Sequence, residues 1–410
     1  MPSRALFTSL SLALLLTAYA SAQDQVLVLR GARVLTAADR DYESGTVVLH
    51  RGKVIAVGDG NVTFPNGARV IECANRVITP GLIDAGATFG SRQEDQNEQG
   101  DEVTPQMSIL DAISPADEGF ARASAQGVTT VRLIPSNRNV IGGLAAVLKT
   151  RGDTVAEMLL EDRVGLRMAM GGEPSAGNRA IRGGVPLGLF VRRPTTRMGV
   201  VWEVRRAFSE AQKYRDERTQ GTDTPPNAAL DVLVEALDGK LDVHTTARAE
   251  QDIRTALKLA SEFGYKTVLE EVTEAYRCID VLAASKVACL VGAPSAEAVL
   301  GGGAMDGARP RWHTPSLLAQ AGVAFAIQTG SNLGSKSLVH EALFAVRHGL
   351  GRDAALRAIT STPAKILGVD ARVGSLAPGK DADVVLWSGD PFEPTTTPLA
   401  VFIAGEEVTL

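Results

Sequence analysis

The central part of this chain alternates strand-like and helix-like segments, and this alternation constrains the fold more than any other feature. Several strand-like runs follow a glycine that ends a helical segment, as in Gly127–Val131, Gly264–Val268 and Gly322–Ala326. Glycine suits this place because the residue after a helix commonly takes a left-handed conformation. The segment Glu250–Phe263 has apolar residues at helical spacing on one face. Repeated strand–helix units over residues 80–368 predict a parallel sheet, and this length fits a (β/α)8 TIM barrel.

Both ends of the chain contain short strand-like runs without intervening helices. Residues 23–79 and residues 369–410 carry β-branched runs separated by glycine-containing turns, including a hairpin turn at Ala404–Glu406. We therefore expect a small composite β-sandwich domain that is built from both termini, in addition to the barrel of residues 80–368.

The first 22 residues have the pattern of an export signal. Arg4 gives a positive start, Leu6–Leu16 is a short apolar run, and Ala20–Ala22 is a small-residue cleavage site. The apolar run is shorter than the ~20 residues that span a bilayer. We expect residues 1–22 to be a signal peptide and the product to be exported, to the periplasm or outside, with no membrane association after cleavage.

Composition excludes some classes of partner. The net charge of -5 and the 5% aromatic content give no basic, base-stacking surface, so we expect no nucleic-acid partner. Hydrophobic residues at 45% and charged residues at 22% are ordinary for a globular protein. Cys278 and Cys289 could pair in an oxidising compartment, or they could pack as small apolar residues.

Recognisable motifs are spread over almost the whole chain. They are the segments Val77–Asp84, Gly127–Val131, Asn139–Gly143, Val243–His244, Thr273–Tyr276, Thr360–Gly368, Val373–Asp383 and Gly389–Pro391. Together these segments resemble the amidohydrolase superfamily, most closely its imidazolonepropionase-like branch. That resemblance implies a TIM barrel and hydrolysis of C–N bonds at a binuclear metal site on the rim formed by the C-terminal ends of the strands.

The resemblance also implies positions for the metal ligands, and most of these positions hold residues that cannot bind a metal. Glycine has no ligand atom in a side chain, a threonine hydroxyl is a poor zinc ligand, and arginine stays cationic. A zinc hydrolase keeps three protein ligands and one open position. We therefore expect no metal cofactor; the alternative is zinc or another divalent metal in a rebuilt site that His313 completes. The family positions correspond here to Gly86 and Thr88 (the His-x-His pair), Arg167 (the carboxylated Lys), His244, Glu271 (a His in relatives) and Gly330 (the Asp).

The candidate catalytic residues are His244 and Glu271, at the ends of adjacent predicted strands. A carboxylate can orient a histidine and raise its basicity, so the pair could serve as a general base. The alternative is an inherited histidine that is hydrogen-bonded to Glu271 and does no chemistry. Since side chains alternate along a strand, Glu270 is expected to point to the opposite face. The predicted ligand pocket contains Thr88, Arg167, His244, Glu271, His313 and Thr329, although His313 also fits a capping position before a helix at Thr314.

Two functions from different classes follow. One is an exported hydrolase of a small cyclic amide or dipeptide-like substrate that uses His244 and Glu271 with an altered or absent metal. The other is a non-catalytic protein that binds a small-molecule ligand, or that pairs with another copy or an active homologue. General base catalysis is worth only ~10²–10⁴-fold, against ~10⁶-fold or more for most enzymes. The missing ligands therefore favour the second function. A purely structural subunit is a third possibility.

Overall fold

The computed structural model describes residues 25–176, 178, 193–292, 309–330 and 337–409. The predicted signal peptide, residues 1–22, lies outside the described residues. The chain divides into two compact units, one made of the described parts of Met1–Gly81 and Asp370–Leu410, the other of Leu82–Val369. Within the described ranges, no helix is both long enough and apolar enough to cross a bilayer.

Strands and helices follow one another in the order that the sequence pattern indicates. The strands are β1 Leu27–Val34, β2 Tyr42–His50, β3 Lys53–Asp59, β4 Arg69–Glu72, β5 Val77–Pro80, β6 Leu82–Ala87, β7 Val128–Leu133, β8 Ile141–Leu144, β9 Ala146–Lys149, β10 Leu159–Glu161, β11 Leu166–Ala169, β12 Val243–Thr246, β13 Thr267–Glu270, β14 Cys289–Val291, β15 Phe325–Ile327, β16 Val384–Trp387, β17 Pro398–Ile403 and β18 Glu406–Val408. The α-helices are α1 Glu118–Ala125, α2 Val155–Met158, α3 Arg197–Thr219, α4 Ala228–Leu237, α5 Glu250–Phe263, α6 Ile279–Ser285, α7 Thr314–Gln320, α8 Leu338–Arg347, α9 Arg352–Ala358 and α10 Ser361–Ile366.

The first unit is a β-domain in which strands from both termini share one sheet. The strand order is β18-β17-β16-β5-β1-β2-β3, with β4 also paired to β1. Apolar side chains from both segments, among them Leu29, Val47 and Phe402, form one core. The predicted hairpin turn is confirmed: Ala404 and Gly405 have φ values of 49° and 80°, as a two-residue turn between twisted strands requires. Strands from both terminal segments thus share one continuous sheet and one apolar core.

The second unit contains the predicted TIM barrel. Five strands, β11 to β15, run parallel and side by side, and β6 pairs in parallel with β7. A parallel bridge between Ala87 and Gly330 connects β6, the first strand of this unit, to the segment that follows β15. There the Gly330 N–H donates to the Gly86 carbonyl at 3.0 Å.

One strand position departs from the parallel sheet that the sequence predicts. Strand β9 pairs antiparallel with β7, and β8 pairs antiparallel with β11, so the segment Ile141–Lys149 runs against its neighbours. Only residues 134–140 connect β7 to β8, and they contain no helix. A parallel return requires a crossover of a dozen or more residues, whereas an antiparallel return needs only a short turn. The expectation of a uniformly parallel sheet was therefore wrong at this position.

The helices show how local sequence sets the boundaries. The predicted helix Glu250–Phe263 is confirmed as α5, and Gly264 ends it at a φ of 81°. Helix α3 begins at Arg197, where the hydroxyl of the preceding Thr196 accepts a hydrogen bond from the Gly199 N–H at 3.1 Å.

All three cysteines are free and buried. Burial raises the pKa of the Cys278 thiol to about 11 and that of the Cys289 thiol to about 12. These two residues therefore pack as small apolar side chains, the second of the two alternatives that the sequence left open.

Candidate functional site

Three neighbouring strands of the barrel place charged side chains next to one another. Arg167 on β11 pairs in register with His244 on β12, and His244 pairs with Val268 on β13. Residues paired in this way point to the same face, and so does the residue two positions along a strand. Glu270 therefore shares a face with His244 and Arg167.

This register corrects the assignment of the two glutamates. The residue bonded to His244 is Glu270, whose Oε1 lies 2.8 Å from His244 Nδ1, and not Glu271. The expectation that Glu270 points to the opposite face was wrong, because β13 ends at Glu270 and its register with β12 turns Glu270 inward. A shift of one residue along a strand exchanges the two faces.

Glu270 is the centre of a buried ion cluster. Its carboxylate binds Arg132 Nη1 at 2.7 Å, Arg167 Nη1 and His244 Nδ1, and all four side chains are at most 2% exposed. Arg132 comes from β7 and also donates to the carbonyl oxygens of Val164 at 3.0 Å and Ala85 at 3.2 Å. Two guanidinium groups thus hold one carboxylate inside the barrel.

Glu271 belongs to the same cluster, although it lies beyond the end of the strand. A left-handed backbone with a φ of 53° turns its side chain back towards Arg167, whose Nη2 lies 3.2 Å from Glu271 Oε1. Asn137 donates to the same carboxylate oxygen at 3.3 Å, and Arg248 binds the other oxygen. Arg248 also binds Glu173 at 2.6 Å. Three guanidinium groups therefore face three glutamate carboxylates, and the formal charges of these six groups cancel.

Gln328, the residue directly after β15, lies beside Gly86, the first position of the family's His-x-His pair. A Cβ atom added to Gly86 would lie 2.9 Å from Gln328 Cδ and closer still to its Oε1. Gln328 is fully buried. Neither its Oε1 nor its Nε2 has a hydrogen-bond partner among the described residues. Gln328 thus occupies the space into which a side chain at position 86 would extend.

Asp84, on β6, is hydrogen-bonded to the segment that follows β15. Its Oδ2 accepts a hydrogen bond from Thr329 Oγ1 at 2.5 Å, and its Oδ1 accepts from the backbone N–H groups of Thr329 at 3.1 Å and Gly86 at 3.2 Å. Burial raises the pKa of Asp84 to about 6, although these hydrogen bonds act in the opposite direction. Thr329, a predicted pocket residue, therefore binds Asp84.

Burial and the neighbouring charges set the protonation of the cluster. Burial lowers the pKa of Arg132 to about 9 and that of Arg167 to about 10, so both guanidinium groups are cationic at neutral pH. The pKa of His244 lies well below its usual value, because the ring is buried and because Arg132 and Arg167 repel a further positive charge. Burial alone would raise the pKa of Glu271, but Arg248 and Arg167 hold it below its usual value.

Of the predicted site residues, Arg167, His244 and Glu271 come together in the cluster. Thr88 lies just after β6, and its carbonyl accepts a hydrogen bond from Gln96 Nε2 at 2.5 Å. His313 is exposed at the start of α7 and makes no capping hydrogen bond through its side chain. The structure therefore leaves His313 outside the buried cluster.

Sequence reasoning missed several members of the cluster. Arg132 had a visible signal, because a charged residue interrupts the apolar strand Val128–Leu133, where an unpaired charge would be costly. Asn137, Arg248 and Gln328 gave no comparable signal, since they lie at strand ends or in loops, where polar residues are common.

The fold and this cluster define a TIM-barrel protein with charged side chains inside the barrel. Of these, Glu270 and Glu271 lie at and just beyond the C-terminal end of β13, the end of the strands where barrel enzymes carry their active sites. The model of the amidohydrolase family matches residues 77–408. The chain belongs to the amidohydrolase family.

Individual relatives agree with this assignment. A crystal structure of an amidohydrolase from Thermotoga maritima MSB8 is 31% identical, with a TM-score of 0.84, and the match covers 93% of this chain and 99% of that one. The amidohydrolase tasK of Hapsidospora irregularis is 26% identical over 88% of this chain. An adenine deaminase of Listeria monocytogenes is 22% identical over 61% of it. This chain spans only 39% and 37% of the lengths of those two proteins.

Proposed function

We propose that this chain is a non-catalytic member of the amidohydrolase family that binds a small-molecule ligand without a metal cofactor. One observation carries the proposal: Glu270 is bound by the guanidinium groups of Arg132 and Arg167. A carboxylate must offer its oxygen atoms to a metal in order to bind it, and these are already bound to fixed cations. A divalent ion placed here would also be repelled by both guanidinium groups.

The other family positions support the same proposal. Gly86 offers no ligand atom, and Gln328 occupies the adjacent space. Gly330 carries no carboxylate at the position where relatives have an aspartate. The donor set consequently does not fit a binuclear metal centre.

An exported hydrolase is a second candidate, because His244 Nδ1 lies 2.8 Å from Glu270 Oε1. In that arrangement Glu270 orients the ring through Nδ1, and Nε2 is the atom that could accept a proton from water. Two features weaken this candidate: His244 is 1% exposed, and its pKa lies well below the usual value. A base of such low pKa removes a proton from water inefficiently at neutral pH.

Metal content and turnover, measured on the same preparation, test the proposal. We expect protein purified without chelator to contain far less than one equivalent of zinc, manganese or iron, and to show no turnover of cyclic amides or dipeptides. Stoichiometric metal would overturn the metal-free assignment. Turnover that His244→Ala abolishes, while the exposed variant His313→Ala retains it, would establish the hydrolase instead.

Export and partners are part of the same proposal. The pattern of residues 1–22 supports export to the periplasm or outside, and N-terminal sequencing of protein from the periplasmic fraction would test cleavage before Gln23. Light scattering of the purified chain, alone and mixed with an active homologue from the same host, would test pairing. A monomer in both samples would overturn the partner role and leave ligand binding.

A further inference from the structure

An exposed tryptophan lies in the segment that leads into α7. Trp312 is 51% exposed, yet its ring is held against the end of α8, because the ring centroids of Phe344 and His348 lie 6.1 Å and 4.9 Å from that of Trp312. A side chain that is already held in place loses less conformational entropy when it binds a partner. Trp312 is therefore suited to be the anchor of an interface.

Two arginines beside Trp312 carry a positive charge that the described residues do not neutralise. Arg309 and Arg311 are both exposed, and the guanidinium carbon of Arg311 lies 4.6 Å from the centre of the Tyr276 ring. No carboxylate of the described residues binds either guanidinium group. We call Arg309, Arg311 and Trp312 the basic patch, in a chain whose net charge is -5. Tryptophan and arginine are enriched among interface hot spots, so the patch fits an acidic surface with an apolar centre.

The same chain contains a cavity with the complementary chemistry. It has a volume of about 440 Å³ and lies mainly in the connection between β6 and α1. Met107, Ile109 and Pro135 give it an apolar wall, and Met107 is 43% exposed. Because a thioether makes favourable contacts with an aromatic ring, this wall suits an indole side chain.

Exposed carboxylates line the same cavity, among them those of Glu94, Asp95 and Asp111. These three bind no cation among the described residues, and the described wall contains no lysine, arginine or histidine. Carboxylates alone do not define a site, because water screens exposed charges. Here the basic patch of the same chain matches the cavity in both apolar and charged character.

The basic patch and the cavity lie on the same rim of the barrel. The cavity belongs mainly to the connection that follows β6, and the patch to the connection that follows β14. Strand β14 is parallel to β15, and β6 is joined in parallel to the segment after β15. Connections that follow parallel strands lie on one face of a barrel, so a single partner can reach both surfaces.

Two-fold symmetry allows both contacts to form at once. In such a dimer a surface of one copy contacts a different surface of the other, and the reverse contact forms by the same axis. Each chain can then give its basic patch to the other and receive the other's patch in its own cavity. Because both surfaces of both chains are used, association stops at the dimer.

We propose that two copies of this chain form a two-fold dimer in which Trp312 of each copy occupies the cavity of the other. Arg309 and Arg311 of each copy then bind the carboxylates that line that cavity. This inference rests on the partner role in the proposed function, for which it supplies the surface, and it is independent of the metal-free ligand site.

Light scattering of the full chain over a range of concentrations tests the inference. We expect a reversible dimer whose dissociation constant rises with salt, because salt screens exposed charges. Trp312→Ala should raise the dissociation constant at least about 30-fold, since each dimer loses two anchors of hot-spot size. The matched control Trp202→Ala removes a tryptophan that is 64% exposed on α3 and should leave the dissociation constant unchanged.

Charge reversal gives a sharper test. The patch variant Arg309→Glu/Arg311→Glu places negative charges against the acidic cavity, so we expect it to be monomeric. The cavity variant Glu94→Arg/Asp95→Arg places positive charges against the arginines and should also be monomeric. A mixture of the two variants should form heterodimers, because each of the two contacts then joins opposite charges. The control Lys258→Glu reverses an exposed charge on α5 and should keep the dimer.

Three results would overturn the inference: a wild type that stays monomeric at about 100 µM and low salt, a dimer that Trp312→Ala leaves intact, or folded charge variants that stay monomeric when mixed. Thermal unfolding shows which variants are folded. A monomeric wild type would also remove self-pairing from the proposed function, whereas a dimer that does not need Trp312 would keep self-pairing and place it on another surface. A monomer that binds a glutamate-rich peptide through Trp312 would overturn the dimer in favour of a different acidic partner.

Discussion

The change Glu270→Gln removes the carboxylate that Arg132, Arg167 and His244 share, and almost none of its volume. Both guanidinium groups then stay buried without this partner, and no other carboxylate of the described residues binds Arg132. Removing one member of a buried ion pair costs about 3–5 kcal/mol, because the remaining charge is left uncompensated. We therefore expect Glu270→Gln to lower the free energy of unfolding by about that amount.

The expected loss of unfolding free energy also predicts a decrease in the melting temperature, Tm. The unit Leu82–Val369 has about 290 residues, and an unfolding entropy of about 2.1 cal/mol/K per residue gives roughly 0.6 kcal/mol per kelvin. A loss of 3–5 kcal/mol then lowers Tm by about 5–8 °C. Urea titration and calorimetry on the full chain would measure the two quantities, and the amplitude of the transition would show whether both units unfold together.

Two comparisons separate this effect from a general loss of charge. Glu262→Gln removes an exposed partner of Arg205 and should cost less than about 1 kcal/mol. In the double variant Glu270→Gln/Arg132→Met, an uncharged pair replaces the ion pair, so the total cost should be smaller than the sum of the single changes by about 1–3 kcal/mol. A cost below about 1 kcal/mol for Glu270→Gln, or strict additivity in this cycle, would refute the reasoning.

Three further changes test other parts of the barrel. Gly86→Ala should destabilise the protein by about 1–3 kcal/mol, because the new Cβ overlaps Gln328. Adding Gln328→Ala to this variant should recover most of the lost stability. If it recovers none, the overlap is contradicted. Asp84 has a folded pKa of about 6 against an ordinary 3.8, so its contribution to stability is fully present below pH ~4 and falls by about 3 kcal/mol as the pH rises through 6. Urea titrations at pH 4 to 7 should show that fall in the difference between wild type and Asp84→Asn, and a pH-independent difference would exclude it. Gly165 has a φ of 89°, and a Cβ there would lie 2.8 Å from His244 Nε2, so Gly165→Ala should cost about 2–4 kcal/mol. A Cβ added to Gly60 has no other atom within 4 Å, so the control Gly60→Ala should change the free energy of unfolding by less than about 0.5 kcal/mol. Equal Tm values for Gly165→Ala and Gly60→Ala would contradict the clash with His244.

Much of the fold could be predicted because it depends on local patterns. The boundaries of α5 follow from apolar spacing and from Gly264, and the turn at Ala404 and Gly405 follows from turn chemistry. The antiparallel segment Ile141–Lys149 was missed, although its short connection to β7 is a local feature. Strand direction is decided by where a connection can reach, and the alternation of elements alone does not show that.

The site was only partly predictable, for a different reason. Gly86, Arg167 and Gly330 could be recognised as altered positions from the family resemblance alone. Arg132, which binds Glu270, and Gln328, which occupies the space beside Gly86, are distant in sequence from these positions, and only the barrel geometry brings them there. The exchange of Glu270 for Glu271 arose from a one-residue uncertainty in where β13 ends, and in a strand this error reverses the direction of a side chain.

The short connection between β7 and β9 has a consequence for folding. Because residues 134–145 contain β8 but no helix, the antiparallel pairing of β7 with β9 joins residues that are close in sequence. A strand paired through a short loop closes with a smaller loss of chain entropy than one that must wait for a crossover helix. Residues Val128–Lys149 are therefore expected to form an early hairpin, onto which the remaining parallel strands assemble. Amide exchange during refolding would reveal it as early protection of the Val131 N–H.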